Sequence, residues 1–125
     1  MDLTLLIVED SAMSRLVAIE GLKTAAALMS LNLTVREAES ADMAWALWKN
    51  EKIDGVISDL YLDGPVTGVD LVRELLKEAP HLPCAFVTGM TDADNLTKLW
   101  QICPVIPKPL QAWFPQQISL LLREM

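Results

Sequence analysis

Five short apolar runs, separated by longer segments of helical period, constrain the fold more than any other feature of this chain. The first run, LTLLIV, is continuously apolar, as in a strand that is covered on both faces of its sheet. Strands that alternate with helices through short connections are typical of a parallel sheet with helices on both faces. Because crossovers between parallel strands are right-handed, we expect an α/β fold with a doubly wound five-stranded parallel sheet, a (βα)5 three-layer sandwich. The predicted strands cover residues 3–8, 33–38, 55–60, 84–89 and 104–107.

The segments between these runs carry the signals of helix starts and ends. Ser11 is available as the N-cap of the first helix, and Asp92 or Thr91 can cap the fourth. Pro80 closes the third helix. No linker, internal repeat or low-complexity tract interrupts the pattern, so residues 1–125 are predicted to form a single domain. The predicted helices cover residues 12–29, 41–51, 69–79 and 92–102, and a last one runs to Leu122 or beyond.

The acidic composition argues against several classes of partner. The formal net charge is −7, which disfavours direct binding to nucleic acid or to an anionic membrane surface. Cys84 and Cys103 lie in apolar segments and match no metal or disulfide pattern, so we expect both to be reduced core residues. The sequence shows neither a signal peptide nor a stretch long enough to span a membrane. We therefore expect a cytoplasmic protein.

Polar residues gather where the predicted strands end. Glu9 and Asp10 follow the first strand, Asp59 and Thr88 end the third and fourth, and Lys108 follows the fifth. The carboxyl ends of parallel strands meet along one edge, where such sheets bind ligands. Three neighbouring carboxylates repel one another unless a cation intervenes, and hard oxygen ligands suit Mg²⁺. We expect Glu9, Asp10 and Asp59 to hold Mg²⁺, with Asp59 as a nucleophile toward a phosphoryl group that Thr88 and Lys108 stabilise.

Four segments at these strand ends, IVED, VISDLYLDG, FVTG and PKPL, give the chain a family resemblance. Over nearly its whole length it resembles the receiver domains of two-component response regulators, of the chemotaxis-regulator type with a flavodoxin-like sheet. The resemblance implies that Asp59 is the phosphoacceptor and that the main-chain carbonyl of Tyr61 completes the Mg²⁺ ligands with Glu9 and Asp10. It also implies that Thr88 is the switch hydroxyl and Lys108 the lysine of the family's site.

The resemblance implies a role in signalling rather than in metabolism. A histidine kinase or a histidine phosphotransfer protein would donate phosphate to Asp59, and a changed surface would then bind an unknown downstream protein. The implied catalysis is limited to self-catalysed phosphotransfer and autodephosphorylation, so we do not expect a true enzyme. Both a stand-alone regulator and a piece of a larger protein stay open.

Two other functions would use some of the same residues. A pseudo-receiver would act as a phosphorylation-independent protein-interaction module, but it would have no reason to keep repelling carboxylates beside Lys108. A phosphatase of the haloacid-dehalogenase kind also uses an aspartyl nucleophile. Those enzymes carry a second acid two residues later, where this chain has Tyr61.

The chain also departs from the family pattern. Val105 stands where the family usually has Tyr or Phe, so the usual coupling of threonine to an aromatic ring cannot operate in its familiar form. The loop after Asp59 is longer than common versions and has Asp63 in place of proline. The bulky Tyr61 is expected to slow hydrolysis of the acyl phosphate. The long first helix adds either core or a contact surface for a partner or for a second copy in a homodimer.

Overall fold

The computed structural model describes residues 2–62, 64–89 and 92–107. Within these ranges five strands alternate with four helices, which confirms the predicted pattern. The predicted last helix, together with Lys108, lies outside the described residues. In chain order the elements are β1 (Asp2–Val8), α1 (Ala12–Leu28), β2 (Asn32–Ala38), α2 (Ala41–Asn50), β3 (Gly55–Asp59), α3 (Gly68–Glu78), β4 (Cys84–Thr88), α4 (Ala93–Trp100) and β5 (Val105–Pro107).

The five strands form one parallel sheet in the order β2-β1-β3-β4-β5. The chain first moves outward from β1 to β2 and then returns past β1 to β3, so the winding direction changes between β1 and β3. In the register of the sheet, Val8 pairs with both Ala38 and Ser58, which brings the carboxyl ends of three strands level with one another. Ligands of doubly wound sheets bind beyond such a change of direction.

Two apolar cores cover the two faces of the sheet. Neighbouring residues of a strand point to opposite faces, so Leu5 packs into the core under α1 while Leu6 packs into the core under α2, α3 and α4. Leu22 of α1 and Leu71 of α3 are fully buried against these two sides. The continuous apolar run of β1 is therefore covered on both faces, as its sequence predicts.

The helices begin at polar caps and end where the backbone bonding pattern changes. The Ser11 hydroxyl accepts from the Ser14 amide (3.3 Å), and the Asp92 carboxylate accepts from the Asp94 amide (3.0 Å), which confirms both predicted caps. Helix α4 ends at Trp100, before the predicted end at residue 102, because the Ile102 amide donates to the carbonyl three residues earlier. That tighter turn does not continue an α-helix.

Cys84 and Cys103 are buried and are not joined in a disulfide, as predicted from their apolar segments. The described helices include none with the length and apolar character needed to cross a membrane.

Candidate functional site

An acidic cluster lies beyond the ends of β1 and β3, at the change of winding direction. Glu9 and Asp10 directly follow β1, and Asp59 is the last residue of β3. One carboxylate oxygen from each of the three lies within 4.8 Å of the other two. Glu9 is only 5% exposed, whereas Asp10 and Asp59 are partly exposed. The structure therefore brings together the three carboxylates that the sequence predicts to hold a metal.

The spacing of these oxygens fits a small divalent cation. Mg²⁺ binds oxygen ligands at about 2.1 Å, so opposite ligands of an octahedron lie about 4.2 Å apart. The three oxygens, all within 4.8 Å of one another, need only small shifts to reach such a geometry. Carboxylate donors without sulfur or imidazole also suit Mg²⁺ better than Zn²⁺. The donor set thus fits the predicted cation.

Two hydrogen bonds from main-chain amides hold Glu9 in place. The Glu9 amide donates to the Ala38 carbonyl (3.0 Å), which joins the loop after β1 to the end of β2. The Glu9 carboxylate in turn accepts from the Ser11 amide (3.2 Å), at the cap of α1. The loop between β1 and α1 is therefore bonded to the end of β2 and to the start of α1.

Three neighbours fix the main chain around Asp59. The Leu60 amide donates to the Asp59 carboxylate (2.8 Å), and the buried Ser58 hydroxyl donates to the Asp59 carbonyl (2.8 Å). The Gly68 amide donates to the Leu60 carbonyl (2.8 Å), so the start of α3 lies directly against the end of β3. A Cβ atom at position 68 would overlap the main-chain oxygen of Asp59 and come within 2.8 Å of the Ser58 hydroxyl. Only glycine fits at this contact.

The other predicted site residues differ in what the structure describes. Thr88 is buried at the end of β4, one residue beyond Val87, the register partner of Asp59. Tyr61 is 64% exposed, and the role of its main-chain carbonyl stays a prediction. Tyr61 lines a groove of about 300 Å³ with residues of the loop after β3, of α3 and of α4. Lys108 lies outside the described residues.

Arg15 and Gly68 contribute to the site and were missed from the sequence. Arg15 lies in the first turn of α1 and donates to the carbonyls of Glu9 (2.8 Å) and Asp10 (3.4 Å). A cation near a helix N-terminus opposes the helix dipole, and this mismatch was the available signal that Arg15 has a specific partner. Gly68 gave a weaker signal, since a glycine at a helix start has several explanations.

A comparison with protein families finds one that matches most of the chain. The family model described as the response regulator receiver domain matches residues 5–112. No curated protein matches the chain.

Solved structures with the same fold agree with the family match. The receiver domain of NtrX from Brucella abortus is 23% identical with a TM-score of 0.79, and the alignment covers 96% of each chain. The chemotaxis response regulator CheY4 of Vibrio cholerae is 19% identical with a TM-score of 0.79, and the alignment covers 100% of each chain.

A longer relative shows how such a domain occurs in a larger protein. A structure of NtrX from Brucella abortus is 22% identical over 99% of this chain, with a TM-score of 0.81. This chain spans 28% of the length of that protein. The family match covers most of the sequence, and the neighbours share its five-stranded parallel sheet. The chain therefore belongs to the response regulator receiver domain family of two-component signalling, and its fold is the flavodoxin-like, CheY-like one expected from the resemblance.

Proposed function

We propose that this receiver domain accepts a phosphoryl group on Asp59 from a phosphohistidine donor, with Mg²⁺ held by Glu9, Asp10, Asp59 and the Tyr61 carbonyl. The acidic cluster carries this proposal, because one oxygen of each carboxylate lies within 4.8 Å of the others at the end of β1 and β3. Carboxylates at this separation repel one another, and a divalent cation bound among them would offset that repulsion.

The proposed reaction needs only a carboxylate and a phosphorylated imidazole. An Asp59 carboxylate oxygen attacks phosphorus and forms the P–O bond of an acyl phosphate. The P–N bond of the donor breaks, and its electron pair stays on the imidazole nitrogen. Later attack by water on phosphorus releases inorganic phosphate and restores the carboxylate. A bound Mg²⁺ would neutralise part of the negative charge on the carboxylates and the phosphoryl oxygens.

The remaining residues bind, position or shield in this proposal. The Leu60 amide holds one carboxylate oxygen of Asp59, which orients the other toward an incoming phosphoryl group. Thr88 donates a hydrogen bond to a phosphoryl oxygen, and Lys108 supplies a positive charge to it. This chemistry amounts to self-catalysed phosphotransfer and autodephosphorylation rather than turnover by an enzyme.

The donor in this proposal is a histidine kinase or a histidine phosphotransfer protein in the cytoplasm, and the receiver of the signal is a downstream protein. The net charge of −7 argues against nucleic acid as a direct target. A homodimer is a further candidate form of the signalling state, because Met13, Leu16 and Val17 of α1 are exposed apolar residues.

One observation favours a second candidate, the phosphorylation-independent pseudo-receiver. Val105 is buried in β5 opposite Phe86, at the position where the family resemblance predicts a mobile aromatic ring. A domain without that ring could present a constant protein-binding surface. The acidic cluster weighs against this function, since a constant surface does not need it.

Phosphorylation by a small donor tests the proposal directly. The purified chain is incubated with Mg²⁺ and acetyl phosphate, and the intact mass is measured. We expect an increase by one phosphoryl group that disappears when EDTA removes Mg²⁺ or when hydroxylamine cleaves the acyl phosphate.

Two isosteric variants provide the matched control. Asp59→Asn should abolish the adduct, whereas Asp54→Asn at the opposite end of β3 should leave it unchanged. Failure of the wild type to form an adduct, or an adduct that persists in Asp59→Asn, would favour the pseudo-receiver.

A further inference from the structure

Arg15 joins three parts of the carboxyl edge of the sheet. Its side chain is only 12% exposed although it is the longest cationic side chain in α1. One terminal nitrogen, Nη1, donates to the carbonyls of both Glu9 (2.8 Å) and Asp10 (3.4 Å). These are the two residues whose carboxylates enter the acidic cluster.

The other nitrogens of Arg15 contact the end of β2 and the residue after it. Nε lies 3.3 Å from the Glu37 carboxylate, and Nη2 lies 3.3 Å from the Glu39 carboxylate. The planar guanidinium therefore uses its fixed fork of donors on two sides at once. It links the loop after β1 to the loop after β2, with α1 as its support.

Arg15 lies in the first turn of α1, where a positive charge does not stabilise the helix itself. A cation in the first helical turn opposes the helix dipole and is disfavoured there. The two carboxylates and two carbonyls around Arg15 offset this effect. The hydrogen bonds that Arg15 donates to Glu9 and Asp10 go to their main-chain carbonyls.

We propose that Arg15 is a positioning residue that holds the main chain of Glu9 and Asp10 so that their carboxylates converge with Asp59 on one cation. This inference rests on the Mg²⁺ site of the proposed function. Fixing the two carbonyls fixes the directions in which both side chains leave the backbone. Groups that orient metal ligands in this way typically change metal affinity by about 10-fold to 100-fold when they are removed.

Charge and position predict opposite results when Arg15 is replaced. If Arg15 acted only as a nearby positive charge, its loss would leave a more negative site, and Mg²⁺ would bind more tightly. If Arg15 positions the ligands, its loss weakens binding despite the more negative charge. The sign of the change in affinity therefore separates the two roles.

The test measures the Mg²⁺ dissociation constant by isothermal titration calorimetry for four proteins. We expect Arg15→Met to weaken binding by about 10-fold or more relative to the wild type. Arg15→Lys keeps the charge but not the fork of donors, so its Mg²⁺ affinity should lie between those of the wild type and Arg15→Met. Arg36→Met is the matched control, because Arg36 bonds to Glu51 at the end of α2 and its removal causes the same change in net charge. This variant should bind Mg²⁺ as the wild type does.

Each result has one meaning for the proposal. Unchanged or tighter binding by Arg15→Met, with a native circular dichroism spectrum, would overturn the positioning role. If Arg15→Met does not fold, Arg15→Lys decides, since wild-type affinity in that variant would show that the charge alone suffices. Absence of Mg²⁺ binding by the wild type would instead contradict the proposed function.

Discussion

Two aspartates bracket strand β3, and the fold treats them differently. Asp54 precedes the strand, where its carboxylate accepts from the Thr4 amide (2.8 Å) while its own amide donates to the Thr4 carbonyl (2.8 Å). Lys52 lies 3.9 Å from the same carboxylate. Asp59 ends the strand within 4.8 Å of two further carboxylates. One acid thus closes the amino edge of the sheet, and the other joins a cluster of like charges.

The difference separates an acid with a structural role from one to which the proposed function assigns the phosphoryl group. The bonds of Asp54 are complete within the protein and join β1 to the start of β3. The cluster around Asp59 brings three carboxylates close together, and a bound cation would reduce the repulsion between them. Sites that are kept at the expense of stability are typical of function. Replacing Asp54 should therefore lower the free energy of unfolding, whereas replacing Asp59 in the absence of Mg²⁺ should raise it.

The largest effect is expected from Gly68→Ala, which tests how rigidly Asp59 is held. The added methyl group would overlap the Asp59 carbonyl, so either the strand end or the start of α3 must move. We expect a loss of about 3 kcal/mol in the free energy of unfolding, measured in urea. Gly89→Ala is the control, because a Cβ there meets no atom within 4 Å and should change stability by less than about 1 kcal/mol. Equal stability of the two variants would contradict the close contact.

Asp54→Ala tests the structural half of the comparison. It removes the acceptor of the Thr4 amide, and a hydrogen bond to a charged group contributes about 2 kcal/mol. We expect a loss of that size in urea unfolding, with phosphorylation of Asp59 unchanged. Lys52→Ala, at a 90% exposed side chain, should have no measurable effect, because exposed ion pairs contribute little. A large effect of Lys52→Ala would assign the stabilisation to the ion pair instead.

The amino edge should also respond to alkaline pH through its thiol pair. A hydrogen bond to Cys84, with burial as the second cause, raises the pKa of Cys103 well above the ordinary 9.0. Below about pH 9 both folded and unfolded chains keep this proton, but above it the unfolded chain releases the proton and the native chain retains it. Stability should therefore fall as pH rises above 9, by at most about 1.4 kcal/mol per unit.

Urea unfolding of the wild type and Cys103→Ala at pH 8 and pH 10 measures this contribution. The variant should be less stable at pH 8 because it leaves a cavity, but it should lose less stability between the two pH values. Identical pH dependence would remove Cys103 from the explanation.

Asp59→Asn tests the functional half of the comparison. Without Mg²⁺ it removes one of three repelling charges, so we expect a gain of about 0.5–1 kcal/mol in the free energy of unfolding. Mg²⁺ should stabilise the wild type and not the variant. A loss of stability in the absence of Mg²⁺ would mean that the Asp59 carboxylate is structural, as Asp54 is.

The smallest effect concerns the lifetime of the acyl phosphate. The exposed ring of Tyr61 follows Asp59 by two residues and should shield the phosphoryl group from water. We expect Tyr61→Asn to release phosphate severalfold faster, as followed by a phosphate-binding fluorescent reporter. Tyr61→Phe keeps the ring and should match the wild type. An unchanged lifetime in Tyr61→Asn would rule out shielding.

The sequence predicted the elements that depend on local pattern. The apolar runs identified all five strands, and the rule that parallel strand ends share an edge predicted the cluster of Glu9, Asp10 and Asp59. The predicted end of helix α4 was two residues too late. The helix ends where the hydrogen bonding changes at Ile102, and apolar periodicity does not reveal such a change.

Contacts between residues that are far apart in the sequence could not be predicted from local pattern. Arg15 is separated from Glu39 by 24 residues, and the contact of Gly68 with Asp59 depends on how closely α3 approaches β3. The neighbouring thiols of Cys84 and Cys103 likewise follow from the register of β4 and β5, which the sequence does not specify.

The buried valine of β5 has a consequence for how this domain can be observed. Val105 is 7% exposed, and its β-branched side chain strongly prefers one rotamer, so it offers no outward and inward positions to report on. A spectroscopic probe of an aromatic ring at this position of β5 would therefore detect no change on activation in this domain. A reporter in the main chain after Thr88, such as an amide followed by NMR, would be the informative probe. Because of Val105, a conformational change on phosphorylation is best followed through main-chain amides rather than through a side chain of β5.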